Sequence, residues 1–285
     1  MSSFHHFKVG DFKCTVLNDM SGSWTMWQAF PGLARDELQA EMEAGGYSEQ
    51  LTRQGNVLLV DTGEQKVLVD TGLPSVRGGQ LVNNLQAIGV SPDEIDTVII
   101  THGDGDHIGG LSNYTEARIV MPPKSYRLWT DGVEGMVEEF LMLFRDKLSE
   151  KELAARRAGR LVYPQSLPSL QERIDLVEPE TEFIPGIRLV DAPGHRSDHI
   201  AVEISSAGET LLHIVDAFRH PIQAKRPDFY SLFDSYPQQL AQTTKMLMAR
   251  AADKNALVFG AHLPFPSLIR ITRDGNDFVW RTMSS

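Results

Sequence analysis

The sequence predicts an α/β protein built on packed sheets. Three observations carry that prediction. Short apolar runs rich in β-branched residues alternate along the chain with segments of helical periodicity. Several runs give way to glycine, histidine or aspartate, which places polar side chains at one edge of the sheets. The length of 285 residues allows two domains or one large α/β unit, at about 150 residues per domain.

Asn56 to Val60 and Lys66 to Val69 read as strands joined by the hairpin signature Asp61-Thr62-Gly63-Glu64. The second strand runs into Asp70-Thr71-Gly72. Leu81, Leu85 and Ile88 share a helical face, and Gly89 supplies a stop just past it. Ser91-Pro92-Asp93-Glu94 carries a helix start, with Ser at the N-cap, Pro at N1 and Glu at N3. Thr97 to Thr101 is a β-branched strand leading straight into His102-Gly103-Asp104-Gly105-Asp106-His107. From Met121 to about Glu182 the pattern turns mostly helical. Met136, Phe140 and Phe144 fall on one face there, and Lys147 to Arg157 has helix-forming composition. Strands return at Ile187 to Val190, Ala201 to Ile204 and Leu211 to Val215. Pro237 to Ala252 is an amphipathic helix with Leu240, Leu247 and Ala251 inside. Ala256 to Phe259 is a last core strand, ending near His262.

Lys and Arg number 27 against 38 Asp and Glu, a net charge of −11, which argues against nucleic acid as a partner. The single cysteine, Cys14, excludes an intramolecular disulfide and cysteine-based zinc sites. The first 13 residues show neither the apolar core nor the cleavage pattern of a signal peptide. No apolar run nears the roughly 20 residues of a membrane helix. The expected setting is the cytoplasm, with no membrane partner.

Of nine histidines, His5 and His6 lie at the terminus and are expected in solvent. A lone histidine is usually a packing or surface residue, and clustering changes that. His102, Asp104, Asp106 and His107 put four ligand-type side chains within six residues. Gly103 and Gly105 between them let a short loop turn several toward one point. Imidazole and carboxylate together suit zinc, iron or manganese. The loop is acidic and lacks the lysine of a phosphate cradle.

This segment resembles the H-x-H-x-D-H motif of the metallo-β-lactamase fold superfamily, followed there by a Gly-Gly and a helix, here Ile108-Gly109-Gly110-Leu111. Asp70-Thr71-Gly72, Pro193-Gly194-His195, Asp216 and Gly260-Ala261-His262 resemble the family's other marks, in order, over about Gly55 to Ile271. The wording Ala261-His262-Leu263-Pro264-Phe265-Pro266 is similar to the branch of acyl-homoserine lactonases and organophosphorus hydrolases. The resemblance implies an αββα sandwich, one domain over residues 1–285, with about 121–182 inserted. It also implies two divalent metal ions. His102, Asp104 and His195 would hold one; Asp106, His107 and His262 would hold the other; Asp216 would bridge them. Zinc is favoured, and Asp104 admits iron or manganese. The implied activity is a metal-dependent hydrolase that uses a metal-bridged hydroxide on an ester, lactone or phosphoester, with Asp106 among the catalytic residues. The partner would be a small-molecule substrate, and a homodimer is compatible with this.

Two positions depart from the family pattern. Asp104 stands where histidine is usual. Two divalent ions, a hydroxide and two aspartates sum to +1; a third aspartate makes 0, which should weaken Lewis acidity and favour a harder metal. Arg219 stands three residues after Asp216, where lactonases of this fold often place tyrosine, so Arg219 or His220 would serve as the donor there. Arginine suits an anionic or phosphorylated substrate. His199 either orients a ligand or fills core, His213 is packing, and Asp70 anchors a turn or supports a ligand. Trp24, Met26, Trp27 and Phe30 form either an apolar wall over the site or a dimer contact or ordinary core, and Phe140, Leu141 and Phe144 either cap the site or, at helical spacing, read as core. The other reading the residues leave open is a non-hydrolytic protein of the same fold, an iron redox or sensor module or a degenerate ligand binder.

Overall fold

The computed structural model describes residues 3–31, 33–275 and 277–282. Strands Phe4–Val9 (β1), Phe12–Thr25 (β2), Gln50–Asp61 (β3), Lys66–Val69 (β4), Thr97–Ile99 (β5), Arg118–Met121 (β6) and Ile174–Leu176 (β7) lie side by side in chain order as one sheet. Neighbours are antiparallel from β1 to β4 and parallel from β4 to β7. The second sheet holds Glu182–Ile184 (β8), Ile187–Asp191 (β9), Ile200–Ser206 (β10), Glu209–Val215 (β11), Leu257–Gly260 (β12), Leu268–Asp274 (β13) and Asp277–Thr282 (β14), also in order. Only β11 and β12 are parallel there.

Val16, Leu58, Val60, Val67, Val69 and Ile99 on the first sheet meet Ile187, Leu189, Val202, Ile204, Leu211 and Phe259 on the second. Each aliphatic side chain fully buried in such a layer contributes roughly 1.5–3 kcal/mol. Helix Leu81–Ala87 and the helices Pro123–Thr130, Val133–Met142 and Glu150–Leu170 cover the outer face of the first sheet. Helix Pro237–Asp253 covers the second through Leu240, Leu247, Met248 and Ala251. The layers are therefore αββα. Among the described residues, no helix is long and apolar enough to cross a membrane.

Several boundaries differ from the sequence expectation, for local reasons. Ser91-Pro92-Asp93-Glu94 forms its capping box but only a three-residue 3-10 turn, because Ile95 is already extended and buried ahead of β5. Ile100 and Thr101 leave the strand that Thr97 begins, since the Thr101 amide bonds the Asp70 carboxylate instead. Gly109-Gly110 opens no long helix; a single helical turn, Gly105–Ile108, precedes it and a 3-10 turn, Leu111–Asn113, follows. The stretch of about 121–182 holds three helices and also β7. Its last helix starts at the capping box of Ser149 and Glu152, and runs through Pro164 and Pro168. His5 and His6 belong to β1, where His6 is exposed as expected and His5 is half-buried; His6 Nδ1 lies 2.9 Å from Thr15 Oγ1.

A bulge between Asn18 and Met20 in the β2–β3 ladder turns Asp19 inward. Its carboxylate accepts the amides of Leu73, Gln80 and Leu81, so it caps helix Leu81–Ala87 and fixes the loop after β4. That loop and the ends of β5, β9, β11 and β12 converge at one edge of the sandwich.

Candidate metal centre

Close backbone approach shapes this edge. Thr71 donates its amide to His107 O at 2.6 Å, and Gly110 donates to Gly72 O at 3.1 Å. A Cβ on Gly109 would lie 2.3 Å from Gly105 O, and one on Gly110 would lie 2.3 Å from Thr71 O, so both positions require glycine. Gly194, ahead of His195, has φ +136 and would drive a Cβ into the Leu240 backbone. The β11 ladder breaks at His213, and Val215 takes φ +53, which swings Asp216 out of the sheet. His262 follows β12 directly.

Four histidines and three aspartates from these loops meet. Asp104 Oδ2 lies 3.8 Å from His102 Nε2 and 3.4 Å from His195 Nε2. Asp106 Oδ2 lies 3.7 Å from His262 Nε2. Asp216 reaches both groups: its Oδ2 is 3.3 Å from His195 Nε2 and 3.2 Å from His262 Nε2, and its Oδ1 is 3.4 Å from His107 Nε2. Ligand atoms around a tetrahedral zinc, at bonds of roughly 2.0–2.1 Å, sit about 3.3 Å apart. The observed spacings run from 3.2 to 3.8 Å, at or somewhat above that value. His102, Asp104 and His195 form one such group, and Asp106, His107 and His262 another.

The outward nitrogen of each ring is already held. His107 Nδ1 donates to Asp70 Oδ2 at 2.7 Å, His195 Nδ1 to Asp234 Oδ1 at 2.7 Å and His262 Nδ1 to Gln54 O at 2.5 Å. Thr101 Oγ1 donates to Asp70, which leaves it to accept from His102 Nδ1. These bonds fix the tautomer that aims an Nε2 lone pair inward, the usual support of a metal-bound imidazole. His102 Nε2, His107 Nε2, His195 Nε2 and Asp216 Oδ1 are buried and bond to nothing. Four orphaned acceptors at one point are costly unless a cation completes them. The donor set therefore fits divalent metal.

Charge follows the geometry. Burial would raise Asp216, but His262, His107 and His195 hold it well below the usual carboxylate range. The negative charge of Asp216 and Asp70 pushes His107 up to about 10 against its burial, so a cation bound there would displace the Nε2 proton. His199 falls to about 3 on burial; its Nδ1 donates to Ala192 O and its Nε2 accepts the Asp216 amide, so it orients Asp216 through the backbone. His213 packs on Phe259 and accepts the Val215 amide at the break in β11.

Asp104 differs from the sequence expectation. Its charge is not left to the metals, because Arg160 and Arg196 both ion-pair with it. Burial would raise Asp104; Arg196 and then Arg160 hold it well below its ordinary value. Sequence reasoning also missed Asp234, which sits in a loop without strand or helix signal. Arg196 had one signal, its place directly after the Pro-Gly-His run. Arg160, on a helix remote in sequence, had none.

The site opens into a cleft of 1080 Å³. Trp24, Phe140 and Phe233 line one wall, Trp24 stacked on Phe233 at 5.2 Å. Met26 and Phe30 lie beneath it in a small core with Leu38, Ile222 and Phe229, and Trp27 packs against that core, so that cluster is both wall and core. Arg219 lines the cleft with Nη2 3.5 Å from Asp216 Oδ2 and 3.6 Å from Asp234 Oδ1. His220 is lowered to about 4 by burial, and its Nδ1 accepts the Ile222 amide. Its Nε2 consequently carries the proton. The Tyr47 ring meets it edge-on at 4.8 Å.

A four-layer αββα sandwich with paired histidine and aspartate groups at one sheet edge defines a class, and the family model of the metallo-beta-lactamase superfamily matches residues 51–262. The chain belongs to that superfamily. Among curated relatives, Metallo-beta-lactamase domain-containing protein 1 of Xenopus laevis is 39% identical over 92 residues, 30% of this chain and 37% of that protein. An N-acyl homoserine lactonase of Bacillus thuringiensis is 26% identical over 180 residues, 55% of this chain and 61% of that protein. The chain thus spans less than two thirds of the relatives it matches. Among solved structures, AidC, a dizinc quorum-quenching lactonase, superposes with TM-score 0.86 at 22% identity, covering 99% of this chain and 98% of that one. The hydrolase AbOPH superposes with TM-score 0.84 at 21% identity, covering 100% and 99%. At that identity the likeness shows the fold.

Proposed function

We propose that the protein is a hydrolase dependent on two divalent metal ions and acting on an ester or lactone. The observation that carries this reading is the set of four buried, unpartnered atoms on His102, His107, His195 and Asp216. His102, Asp104 and His195 would hold one ion and Asp106, His107 and His262 the other, with Asp216 within reach of both groups. Zinc is the favoured metal, with iron or manganese as alternatives. Bound there, the ions supply an activated water at neutral pH and a Lewis acid for the substrate oxygen.

The chain's own groups do the rest. Arg219 donates from beside Asp216 toward an oxygen that gains negative charge in the transition state. His220, neutral and protonated on Nε2, is a second donor on the cleft wall. Trp24, Phe140 and Phe233 give an acyl or aryl group an apolar surface that excludes water. The lactonase relative and the lactonase-like fold support the ester or lactone class over a phosphoester.

Elemental analysis of untagged protein supplied in turn with zinc, manganese or iron tests the reading. About two ions per chain is expected, with turnover of an aryl ester or lactone that chelation abolishes. One ion or fewer under every condition, or turnover indifferent to chelation, overturns it.

A further inference from the structure

Asp104 carries two guanidiniums of its own. Its Oδ1 accepts from Arg160 Nη1 at 2.6 Å and from Arg196 Nε at 2.9 Å, and its Oδ2 accepts from Arg196 Nη2 at 2.7 Å. Both lone pairs of Oδ1 are therefore taken. Oδ2 keeps one, on the side of His195 and His102. Arg160 and Arg196 are both buried, and Asp104 is the carboxylate within 4.0 Å of each among the described residues. Phe140 lies under both guanidiniums, at 4.6 and 5.4 Å. Arg196 is further tied by Nη1 to His195 O, Phe233 O and Ser235 Oγ, and Arg160 by Nη1 to Gly103 O.

The charges sum differently from a bare carboxylate. Asp104 alone offers −1 to the first ion; with Arg160 and Arg196 the unit offers +1. A histidine would offer 0. We propose that Arg160 and Arg196 are positioning residues that present Asp104 to the first metal through one oxygen and cancel its charge, so that this ion is held more loosely and stays more electrophilic than an aspartate ligand otherwise permits. The proposal rests on the two-metal reading above. It makes the helix Glu150–Leu170 part of the metal centre's electrostatics and not only a cover, because Arg160 comes from that helix.

Zinc affinity tests it apart from turnover. Metal-free wild type, Arg160→Gln and Arg160→Lys are titrated with zinc against a chromophoric chelator. Glutamine keeps a donor for Gly103 O and removes the charge. Arg160→Gln is expected to bind the first zinc roughly tenfold more tightly, since one positive charge leaves the neighbourhood of the ion. Its activity is expected to rise at a higher pH than wild type, and Arg160→Lys should restore both. Unchanged or weaker zinc binding with an unchanged pH profile, even with lowered thermal stability, would reduce Arg160 to a structural residue and overturn the proposal. If Arg160→Gln does not fold, Arg160→Met takes its place against the same Arg160→Lys control: tighter first-site zinc in the neutral variant alone supports the charge argument, and equal zinc affinity in wild type and both variants defeats it. Wild type that takes up fewer than two zinc ions is the separate signature of failure of the two-metal reading.

Discussion

Asp70 and His107 meet at 2.7 Å, carboxylate oxygen to Nδ1, with both side chains buried. Asp70 also accepts the Thr101 amide and hydroxyl, so one carboxylate orients His107 directly and His102 through Thr101. Asp70→Asn removes the charge and keeps the size. It should weaken zinc binding roughly 10- to 100-fold, the usual cost of losing such a partner. A competition titration reads it; wild-type affinity would leave Asp70 as a turn anchor alone.

Asp106→Ala and His262→Ala each remove a proposed ligand of the second ion. Metal content should fall from about two toward one per chain, with turnover lost. Activity surviving both substitutions would show that the reacting centre lies elsewhere.

Asp104→His restores the family's usual residue and is nevertheless expected to damage this chain. It strands the buried Arg196 charge, and breaking a buried pair costs about 3–5 kcal/mol. Denaturant unfolding of the metal-free protein measures this. The double variant Asp104→His with Arg160→Gln should recover part of the loss and shift metal preference toward zinc. Equal stability of both variants and wild type would mean that Arg196 finds another partner.

Asp198 is buried and pushed up to about 6 by that burial, despite Arg160 nearby and the Trp129 indole donating to it at 3.1 Å. A carboxylate whose folded pKa is raised costs nothing below its unfolded value near 3.8, and the cost grows as pH rises to the folded value. Above about pH 7 it amounts to about 3 kcal/mol at most. Asp198→Asn keeps an acceptor for Trp129. It should stabilise the metal-free protein at pH 8 and do little at pH 4, read by thermal unfolding. A gain that is the same at both values would contradict the assignment.

Arg53, Arg77, Arg156 and Arg219 line the cleft of a protein whose net charge is −11. Arg53 stacks on Trp24 at 4.8 Å and Arg156 on Phe144 at 4.1 Å. An aryl ester bearing a free carboxylate should therefore outperform its methyl-capped twin about tenfold in kcat/KM, an advantage that added salt erodes. Parity at low salt would count against an anionic substrate.

The middle of the fold was legible because strand and helix periods there are undisturbed. Lys66 to Val69, Leu211 to Val215 and Pro237 to Ala252 match β4, the end of β11 and the long C-terminal helix. The outer hairpins were not. β1 interleaves His5, His6 and Lys8 with apolar residues at a sheet edge, and β14 mixes Asp277 and Arg281 with Phe278 and Trp280. Edge strands bury little, so their composition carries little signal. In the metal centre, inward residues were readable as a motif within one short loop and as strand ends. Of what holds them, Asp70 was readable from its Asp-Thr-Gly turn, whereas Gln54 and Asp234 act through contacts remote in sequence. Asp104 shows the limit most sharply: its charge was visible, and the two arginines that answer it became visible only in three dimensions.

Asn56, on β3, donates its side-chain amide to Ala261 O, Leu263 O and Ser267 Oγ across the gap between the sheets. Gln54, two residues earlier on the same strand, fixes His262. The second sheet's last histidine is thus set in place by the first sheet. A folding chain would hold the two halves of its metal site on separate layers until those layers dock. Ion capture then becomes a late event, and a scarce metal would act as a ratchet on the final closure rather than a seed for the first collapse.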